Sequence, residues 1–424
     1  MKLRVVALAV VLSLVASACG GSSGDDGPAS SSSTTAGDGD AVTTTQGSNP
    51  SGVSALEVAY SDGLSNDDPR FPTPGIDVDR LLFGLPGPDL IPAIDDPVLT
   101  PASELGAWLE PAEAVVFVER NGDARAYPVR VLMNHEIVND VVGDDPITVT
   151  YCPLCNSALA FVREVNGIET TFGVSGMLFN SSLVMYDRLT QSLWLHFTGE
   201  AVVGDRTGDQ LERVSAGLVS WEGFVEAHPD GLVLDPPNRD RYGRNPYAGS
   251  GFGGSAYDTL ASEPFLFNGT TDPRSESMRR VVGVVRDGDA HAWTITTLQG
   301  GLGTVTAGEV GDDPVVVLWS PGQASALAGE TVATGRDVGT AGVFSPVVDG
   351  APATFSVDTE GGFVDDITGT TWNVLGEAVA GPLEGSTLER IPHLDTFWFA
   401  WSSFQPETLL TTPSGTIPAE TTSE

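Results

Sequence analysis

Residues 115–127 read Val115-Val116-Phe117-Val118-Glu119-Arg120-Asn121-Gly122-Asp123-Ala124-Arg125-Ala126-Tyr127. Two strand-like runs flank the Asn-Gly pair in this stretch. An Asn-Gly pair favours a tight hairpin turn, because both residues tolerate positive φ. The stretch therefore predicts a β-hairpin. The chain repeats the pattern around an Asp-Gly pair, in Val281-Val282-Gly283-Val284-Val285-Arg286-Asp287-Gly288-Asp289-Ala290-His291-Ala292-Trp293.

Further matches follow the two hairpins in the same order along the chain. They pair residues 157–160 with 325–328, 199–202 with 376–379, 211–213 with 388–390, and Trp221 with Trp398. Chance similarity between glycine-rich turns would not keep this order. The sequence therefore predicts two tandem copies of one β-rich module. The predicted fold class is mainly β, a β-rich α+β protein with a few short helices.

Composition sets the domain boundaries. We predict a first module over residues 55–250, which carries a Cys-x-x-Cys motif, and a second module over residues 275–408. Residues 20–54 are dominated by Ser, Thr, Gly and Asp and predict a disordered linker. Residues 409–424 contain a similar composition and predict a disordered tail.

The N-terminus has the pattern of an export signal. Lys2 and Arg4 precede an apolar run over residues 5–15, which is shorter than the ~20 residues that span a membrane. Small residues then precede Cys19, as in a bacterial lipobox. Residues 1–19 therefore predict a lipoprotein signal peptide, with Cys19 lipidated and the protein anchored extracytoplasmically to the cell membrane. The alternative is an ordinary secretory signal peptide.

The charge balance excludes one class of partner. The chain has 57 acidic and 20 basic residues, for a net charge of −37, and Lys2 is its only lysine. A nucleic-acid-binding surface needs clustered Lys and Arg, so we expect no nucleic-acid partner.

Two cysteines are left in the chain once Cys19 is assigned to lipidation. They lie in Tyr151-Cys152-Pro153-Leu154-Cys155-Asn156, and the second copy has Ser320-Pro321-Gly322-Gln323 at this point. The proline is shared, which fits a turn. The thiols are not shared, which fits a function held by the first copy and a degenerate, non-catalytic second copy.

The Cys-x-x-Cys spacing is compatible with three kinds of chemistry. Two thiols on a short turn favour dithiol–disulfide exchange. The same spacing occurs in zinc sites, which His135 and His196 would complete. Two thiolates with a histidine also suit Cu(I). A structural disulfide is the fourth alternative, although so short a loop adds little stability.

His135 has no counterpart in the second copy and in this respect varies together with the two cysteines. We therefore expect a ring nitrogen of His135 near one of the sulfurs, with the cysteine pair at the wall of a pocket. His196 is the predicted fourth member of the site. Asp187 and Trp194 have counterparts in the second copy, which favours structural roles for both.

Four blocks resemble, in order, the domain-of-unknown-function family numbered 3179. They are residues 135–140, 150–155, 172–176 and 185–188, and the resemblance covers about residues 88–235. The family is named for lacking an assigned activity. Some relatives are catalogued as selenoproteins, which implies redox chemistry at the Cys-x-x-Cys position.

Three functional hypotheses follow. The first is an exported, lipid-anchored thiol redox protein, with Cys152, Cys155 and His135 as catalytic residues and an unidentified redox partner. The second is a zinc or copper protein that uses Cys152, Cys155 and His135, with His196 as a further ligand. The third is a non-enzymatic surface binding module. Thiol–disulfide oxidoreductase is the enzyme class under consideration, and no other cofactor is expected.

Overall fold

The computed structural model describes residues 52–249 and 255–419. The predicted signal peptide, Cys19 and all but the end of the predicted linker lie outside these ranges. Within the described ranges, no helix has the length and apolar character needed to cross a membrane.

Five short α-helices form in the described residues. They are α1 Ala55–Ser61, α2 Val129–His135, α3 Trp221–Ala227, α4 Ile295–Leu298 and α5 Trp398–Phe404. Single 3₁₀ turns occupy Val78–Arg80, Ala102–Glu104 and Arg239–Arg241. Capping explains the start of α3, because the Ser220 hydroxyl accepts the Gly223 N–H at 3.1 Å.

Strands make up most of the regular structure. The first eighteen are β1 Leu82–Phe83, β2 Leu99–Pro101, β3 Ala114–Arg120, β4 Asp123–Pro128, β5 Ile137–Val142, β6 Asp145–Cys152, β7 Ser157–Val162, β8 Glu164–Val165, β9 Ile168–Glu169, β10 Phe172–Phe179, β11 Ser182–Asp187, β12 Leu193–Leu195, β13 Ala201–Val203, β14 Arg213–Val214, β15 Ala216–Ser220, β16 Leu232–Leu234, β17 Ala248–Gly249 and β18 Ser255–Ala256.

Fourteen further strands follow. They are β19 Arg280–Arg286, β20 Asp289–Thr294, β21 Thr304–Val310, β22 Asp313–Ser320, β23 Thr340–Phe344, β24 Val347–Val348, β25 Ala351–Pro352, β26 Phe355–Val357, β27 Phe363–Asp365, β28 Thr371–Trp372, β29 Ala378–Ala380, β30 His393–Phe397, β31 Leu409–Thr412 and β32 Gly415–Ile417. The predicted mainly β class is confirmed.

Each half of the chain contains a five-stranded sheet built on its Asn-Gly or Asp-Gly hairpin. The first has the order β15-β3-β4-β16-β2 and the second the order β30-β19-β20-β31-β32. The pairs β4–β16 and β20–β31 are both parallel. The tandem duplication itself stays a prediction, which superposition of residues 88–235 on 275–408 would test.

One detail of the predicted alignment is wrong. In the first half Cys152 pairs with Ser157 across β6 and β7, and in the second half Ser320 pairs with Thr340 across β22 and β23. Residues 325–328 therefore lie in the loop between β22 and β23 and not in a strand that matches β7. The loop that joins the two paired strands is longer in the second half, so the sequence similarity falls within this loop and not on the paired strand.

The largest hydrophobic core draws on both halves of the chain. Val116 and Val118 of β3 share this core with Val281 and Trp398, and Trp398 is fully buried. Trp221 is buried in a separate core. A surface-binding module would be expected to line a groove with shared aromatic residues such as Trp221 and Trp398. Both side chains are buried, so they do not support the surface-binding hypothesis.

The predicted disordered tail, residues 409–424, begins inside a folded part of the chain. Residues 409–417 form β31 and β32, and β31 pairs with β20 in the second sheet. Leu410 is fully buried there. Burial of this leucine and the strand hydrogen bonds hold a segment whose polar composition indicated disorder.

Candidate thiol site

The Cys-x-x-Cys motif forms the turn between β6 and β7. Cys152 is the last residue of β6, and Asn156 closes the turn in the left-handed conformation, with φ of 51°. Asparagine is one of the few residues that adopts this conformation readily. Both cysteines are free and buried.

A chain of hydrogen bonds connects Cys155 to a buried histidine. Cys155 Sγ lies 2.8 Å from Ser157 Oγ, and Ser157 Oγ lies 2.8 Å from His196 Nε2. On the other side of the ring, His196 Nδ1 lies 2.8 Å from Thr150 Oγ1. Strand pairing explains the arrangement, because Ser157 begins β7 and Thr150 lies on the adjacent strand β6. His196 directly follows β12 in the neighbouring sheet.

The proton positions in this relay follow from its last member. Thr150 Oγ1 donates to the Leu159 carbonyl at 3.1 Å, so it accepts the hydrogen of His196 Nδ1. His196 Nε2 then carries the lone pair and accepts the Ser157 hydroxyl hydrogen. The Ser157 oxygen is left to accept the Cys155 thiol hydrogen. Each hydrogen along the relay then has an acceptor, and the Cys152 carbonyl, 3.8 Å from Cys155 Sγ, is an alternative acceptor for the thiol.

The two thiols differ in acidity. Burial raises the pKa of Cys152 well above its ordinary value, and the hydrogen bond that Cys152 makes to Cys155 adds to this effect. Burial also raises the pKa of Cys155, but hydrogen bonds that Cys152, Ser157 and Ser182 make to its thiolate form outweigh burial and hold the pKa below the ordinary value. Cys155 is therefore the thiol that ionises first.

His196 is neutral at ordinary pH. Burial and the positive charge of Arg213 lower its pKa to about 3. Arg213 is held in place by its Nη2, which donates to the His393 carbonyl at 2.9 Å. A neutral imidazole agrees with the lone pair that the relay requires at Nε2.

The structure does not place His135 in contact with a sulfur. Its Nδ1 lies 2.7 Å from the Pro92 carbonyl oxygen, and its Nε2 lies 2.9 Å from the Tyr242 hydroxyl. Burial lowers the pKa of His135. Both ring nitrogens are engaged away from the thiols, because α2 ends at His135 and the chain turns at Glu136. His196, the other predicted histidine, is the one connected to Cys155, through Ser157.

Residues of the second half of the chain form hydrogen bonds with the cysteine turn and fix its position. The Cys155 carbonyl accepts the Thr396 hydroxyl at 2.7 Å and the Phe397 N–H at 3.2 Å. Asn156 Nδ2 donates to Asp395 Oδ1 at 3.3 Å. All three partners lie on β30, so one strand of the second half fixes two residues of the turn.

A buried ion pair fixes β30 in turn. Arg280 Nη2 donates to Asp395 Oδ2 at 2.6 Å, and Arg280 is almost fully buried. On the other side of the turn, the Tyr257 hydroxyl donates to the Leu154 carbonyl at 2.9 Å. The segment before the second module therefore also contacts the motif.

An apolar pocket of about 110 Å³ lies beside the turn. Leu154, which directly precedes Cys155, lines this pocket, but neither cysteine does. The expectation that the sulfurs themselves form the wall is therefore not met. The other lining residues are Gly84, Leu85, Ile91, Glu136, Val174, Gly176, Met177, Leu178, Leu183, Pro246, Tyr247, Phe265 and Leu266.

Glu136 is the one acidic residue of this pocket. It follows α2 with a φ of 58°, an uncommon backbone conformation for a residue other than glycine. Burial raises its pKa well above the ordinary value, and the charge of a Cys152 thiolate would raise it further. Burial within the apolar lining of the pocket therefore favours the uncharged form of this carboxyl group.

The predicted metal site does not assemble in the described residues. Within residues 52–249 and 255–419, one set of three His, Cys, Asp or Glu side chains has ligand atoms within 4.8 Å of one another, and it contains neither cysteine. His196 reaches Cys155 through Ser157, and His135 bonds elsewhere. The arrangement does not support a zinc or copper ion bound by Cys152, Cys155 and the two histidines.

Asp187 and Trp194 have the structural roles that we expected. Asp187 Oδ2 accepts the Trp194 indole N–H at 2.9 Å, and Asp187 Oδ1 accepts the Thr190 N–H at 2.6 Å. In the second half Asp365 makes the same two bonds, at 2.9 Å to Trp372 and at 2.6 Å to Thr368. The same turn is thus closed in the same way in both halves.

Comparison with protein families gives one match. The family described as "Protein of unknown function (DUF3179)" matches residues 88–408. The chain belongs to the DUF3179 family. The match runs through both halves and so extends beyond residues 88–235, the range of the sequence resemblance. Searches of curated proteins and of solved structures find no match.

Sequence reasoning missed Ser157, Thr150 and Thr396. The position of Ser157, two residues after Cys155, was the only local signal for any of them. Thr150 and Thr396 join the site through strand pairing and through packing of the second half. A single sequence carries no visible signal for either contact.

Proposed function

We propose that this DUF3179 protein is a thiol–disulfide redox protein, with Cys155 as the nucleophile and Cys152 as the resolving thiol. The observation that carries the proposal is the relay Cys155–Ser157–His196–Thr150, in which each distance is 2.8 Å. Such a relay can ionise one thiol of a pair and leave the other protonated. His196 and Ser157 take the role first considered for His135.

The reaction takes a substrate disulfide as its oxidant. The Cys155 thiolate attacks one substrate sulfur, the substrate S–S bond breaks, and a mixed disulfide forms as one substrate thiolate leaves. Cys152 then loses its proton and attacks the Cys155 sulfur, which releases the second substrate thiolate. Two electrons pass from the Cys pair to the substrate, and two protons end on the substrate thiols.

The relay can move the proton of Cys155. As the thiol ionises, its hydrogen passes to Ser157, and the Ser157 hydrogen passes to His196 Nε2. The thiolate, one hydroxyl away, offsets part of the cost of charging this imidazole. Because burial lowers the pKa of His196 to about 3, the proton is weakly held and can be returned to a leaving thiolate.

Access to the sulfurs is through the apolar pocket in this proposal. Leu154 lines the pocket and directly precedes Cys155, so displacement of the Leu154 side chain would open a path. The apolar lining favours an uncharged, apolar group next to the reacting sulfur of the substrate, and burial that raises the pKa of Glu136 acts in the same direction.

The test is a redox titration of the whole chain in glutathione buffers, read by alkylation of free thiols and mass spectrometry. We expect a reversible two-electron couple between Cys152 and Cys155. Cys155→Ser should abolish formation of mixed disulfides, whereas Cys152→Ser should trap them. Thiols that stay reduced in oxidising buffers, or a disulfide that native protein never releases, would overturn the proposal.

We also propose an extracytoplasmic location, with the chain anchored to the membrane through lipid on Cys19. The proposal is supported by the basic and apolar pattern of residues 1–19 and the small residues before Cys19. An oxidising compartment would supply disulfide substrates.

A further inference from the structure

A second cluster of ionisable side chains lies at the junction of the two halves, and it is independent of the thiol site. Glu119 is the next-to-last residue of β3, His228 follows α3, and Glu377 lies between β28 and β29. One ligand atom from each of these residues lies within 4.8 Å of the other two. Three separate elements therefore converge on one point.

The imidazole of His228 is held in a fixed position. Its ring lies 5.0 Å from the ring of Phe117 and 5.6 Å from that of Phe224, measured between centroids. His228 Nε2 is 2.8 Å from Glu377 Oε1. Nε2 therefore already has one carboxylate partner, and Glu119 brings a ligand atom within 4.8 Å of both residues.

A cavity of about 250 Å³ adjoins the cluster and contains a hydroxyl group without a protein partner in the described part of the chain. Glu119, Glu377 and Ser215 line the cavity. The buried Ser215 hydroxyl has no hydrogen-bond partner among the described residues. A buried polar atom without a partner costs about 1–3 kcal/mol, so this hydroxyl beside two carboxylates points to a bound group that completes it.

The two carboxylates of the cluster favour binding of a cation, and the guanidinium of Arg390 opposes it. Glu119 and Glu377 supply two negative charges. Arg390 also lines the cavity, and its Nη2 donates to the Leu375 carbonyl at 2.7 Å. One guanidinium leaves the two carboxylates incompletely neutralised, and an ion with two positive charges would compete with it for them.

We propose that Glu119, His228 and Glu377 bind a divalent transition-metal ion, with zinc as the best match to one imidazole and two carboxylates. Three protein ligands with an open side toward a cavity are the arrangement of zinc sites that keep a water ligand. Glu119 and His228 come from the first half and Glu377 from the second, so the ion joins the halves. The ligand set excludes the cysteines and does not depend on the proposed redox function.

The test is equilibrium dialysis of metal-free full-length protein against zinc, with zinc per chain measured by elemental analysis. We expect one zinc ion per chain. Glu119→Gln and Glu377→Gln should each weaken zinc binding at least tenfold, and Glu119 is exposed, so its variant should fold. Glu226→Gln, which removes an exposed charge two residues before His228, is the matched control and should bind zinc normally.

A Cys152→Ser/Cys155→Ser double variant separates this site from the thiol site. We expect it to retain the zinc ion, and the Co²⁺-loaded wild-type protein to show no thiolate-to-metal absorption band. Loss of zinc in the double cysteine variant, unchanged binding in both glutamate variants, or absence of stoichiometric zinc in the wild type would each overturn the proposal.

Discussion

Ser157→Ala is the sharpest perturbation of the thiol relay. The substitution removes one oxygen atom, which lies 2.8 Å from Cys155 Sγ and 2.8 Å from His196 Nε2. A hydrogen bond to a charged group contributes about 1.5–3 kcal/mol. At about 1.4 kcal/mol for each factor of ten, the thiolate fraction of Cys155 should fall roughly ten- to hundredfold at a pH below its pKa.

The same substitution should also lower stability. Alanine leaves His196 Nε2 buried without its partner, which costs about 1–3 kcal/mol. Ser175→Ala is the matched control, because Ser175 is fully buried and contacts the backbone of Val184 and Met177 and not the thiols. It should cost stability without changing the ionisation of Cys155.

The assay compares Cys152→Ser with Cys152→Ser/Ser157→Ala, so that a single site thiol titrates. Thiolate absorbance against pH is the primary reading, since it does not require a reagent to reach the buried sulfur. The rate of alkylation is the second reading. A Ser157→Ala variant whose Cys155 titrates as before, or a Ser175→Ala variant that shifts it equally, would refute the role of the relay.

Two other predictions follow from the structure and a third from the sequence of the N-terminus. Thr396→Val removes the hydroxyl that donates to the Cys155 carbonyl at 2.7 Å; loss of this hydrogen bond, worth about 1 kcal/mol, should speed alkylation of Cys155 roughly fivefold. The control Thr408→Val, at a buried threonine that contacts Trp401, should leave the alkylation rate unchanged. Equal effects of the two variants would contradict a specific role of Thr396 in holding the turn. Burial lowers the pKa of His196 to about 3 and that of His393 to about 4, so the unfolded state gains protons first as pH falls below about 6.5. Urea titrations should show stability that is complete above about pH 6.5 and falls toward pH 5 by up to about 1.4 kcal/mol per pH unit for each histidine, and a flat profile would exclude the buried neutral state. Cys19→Ser should move the protein from the membrane fraction to the soluble fraction, and unchanged membrane retention would exclude lipidation at Cys19.

The hydrogen bonds between the cysteine turn and β30 give the second half of the chain a role in positioning the two thiols. Thr396 and Phe397 bond the Cys155 carbonyl, and Asp395 bonds Asn156. A half that lacks both cysteines can therefore still position them. The family match over residues 88–408 agrees with this view, since it treats the two halves as one unit.

Local chemistry was enough to predict several parts of the structure. The Asn121-Gly122 pair forms the turn between β3 and β4, with φ of 53° and 79°, because these residues tolerate positive φ. The Cys-x-x-Cys spacing predicted a turn that brings the two thiols together. These features depend on residues adjacent in the chain, so one sequence is sufficient to read them.

Only the tertiary structure decided which side chains meet the thiols. His135 and His196 were both candidates, but His135 ends α2 and bonds Pro92 and Tyr242, whereas His196 follows β12 and reaches Ser157. The register that pairs Ser320 with Thr340 was also hidden, because the connecting loop in the second half is longer. Contacts between distant segments depend on strand order and shared core packing, and the sequence alone does not encode these in any local pattern.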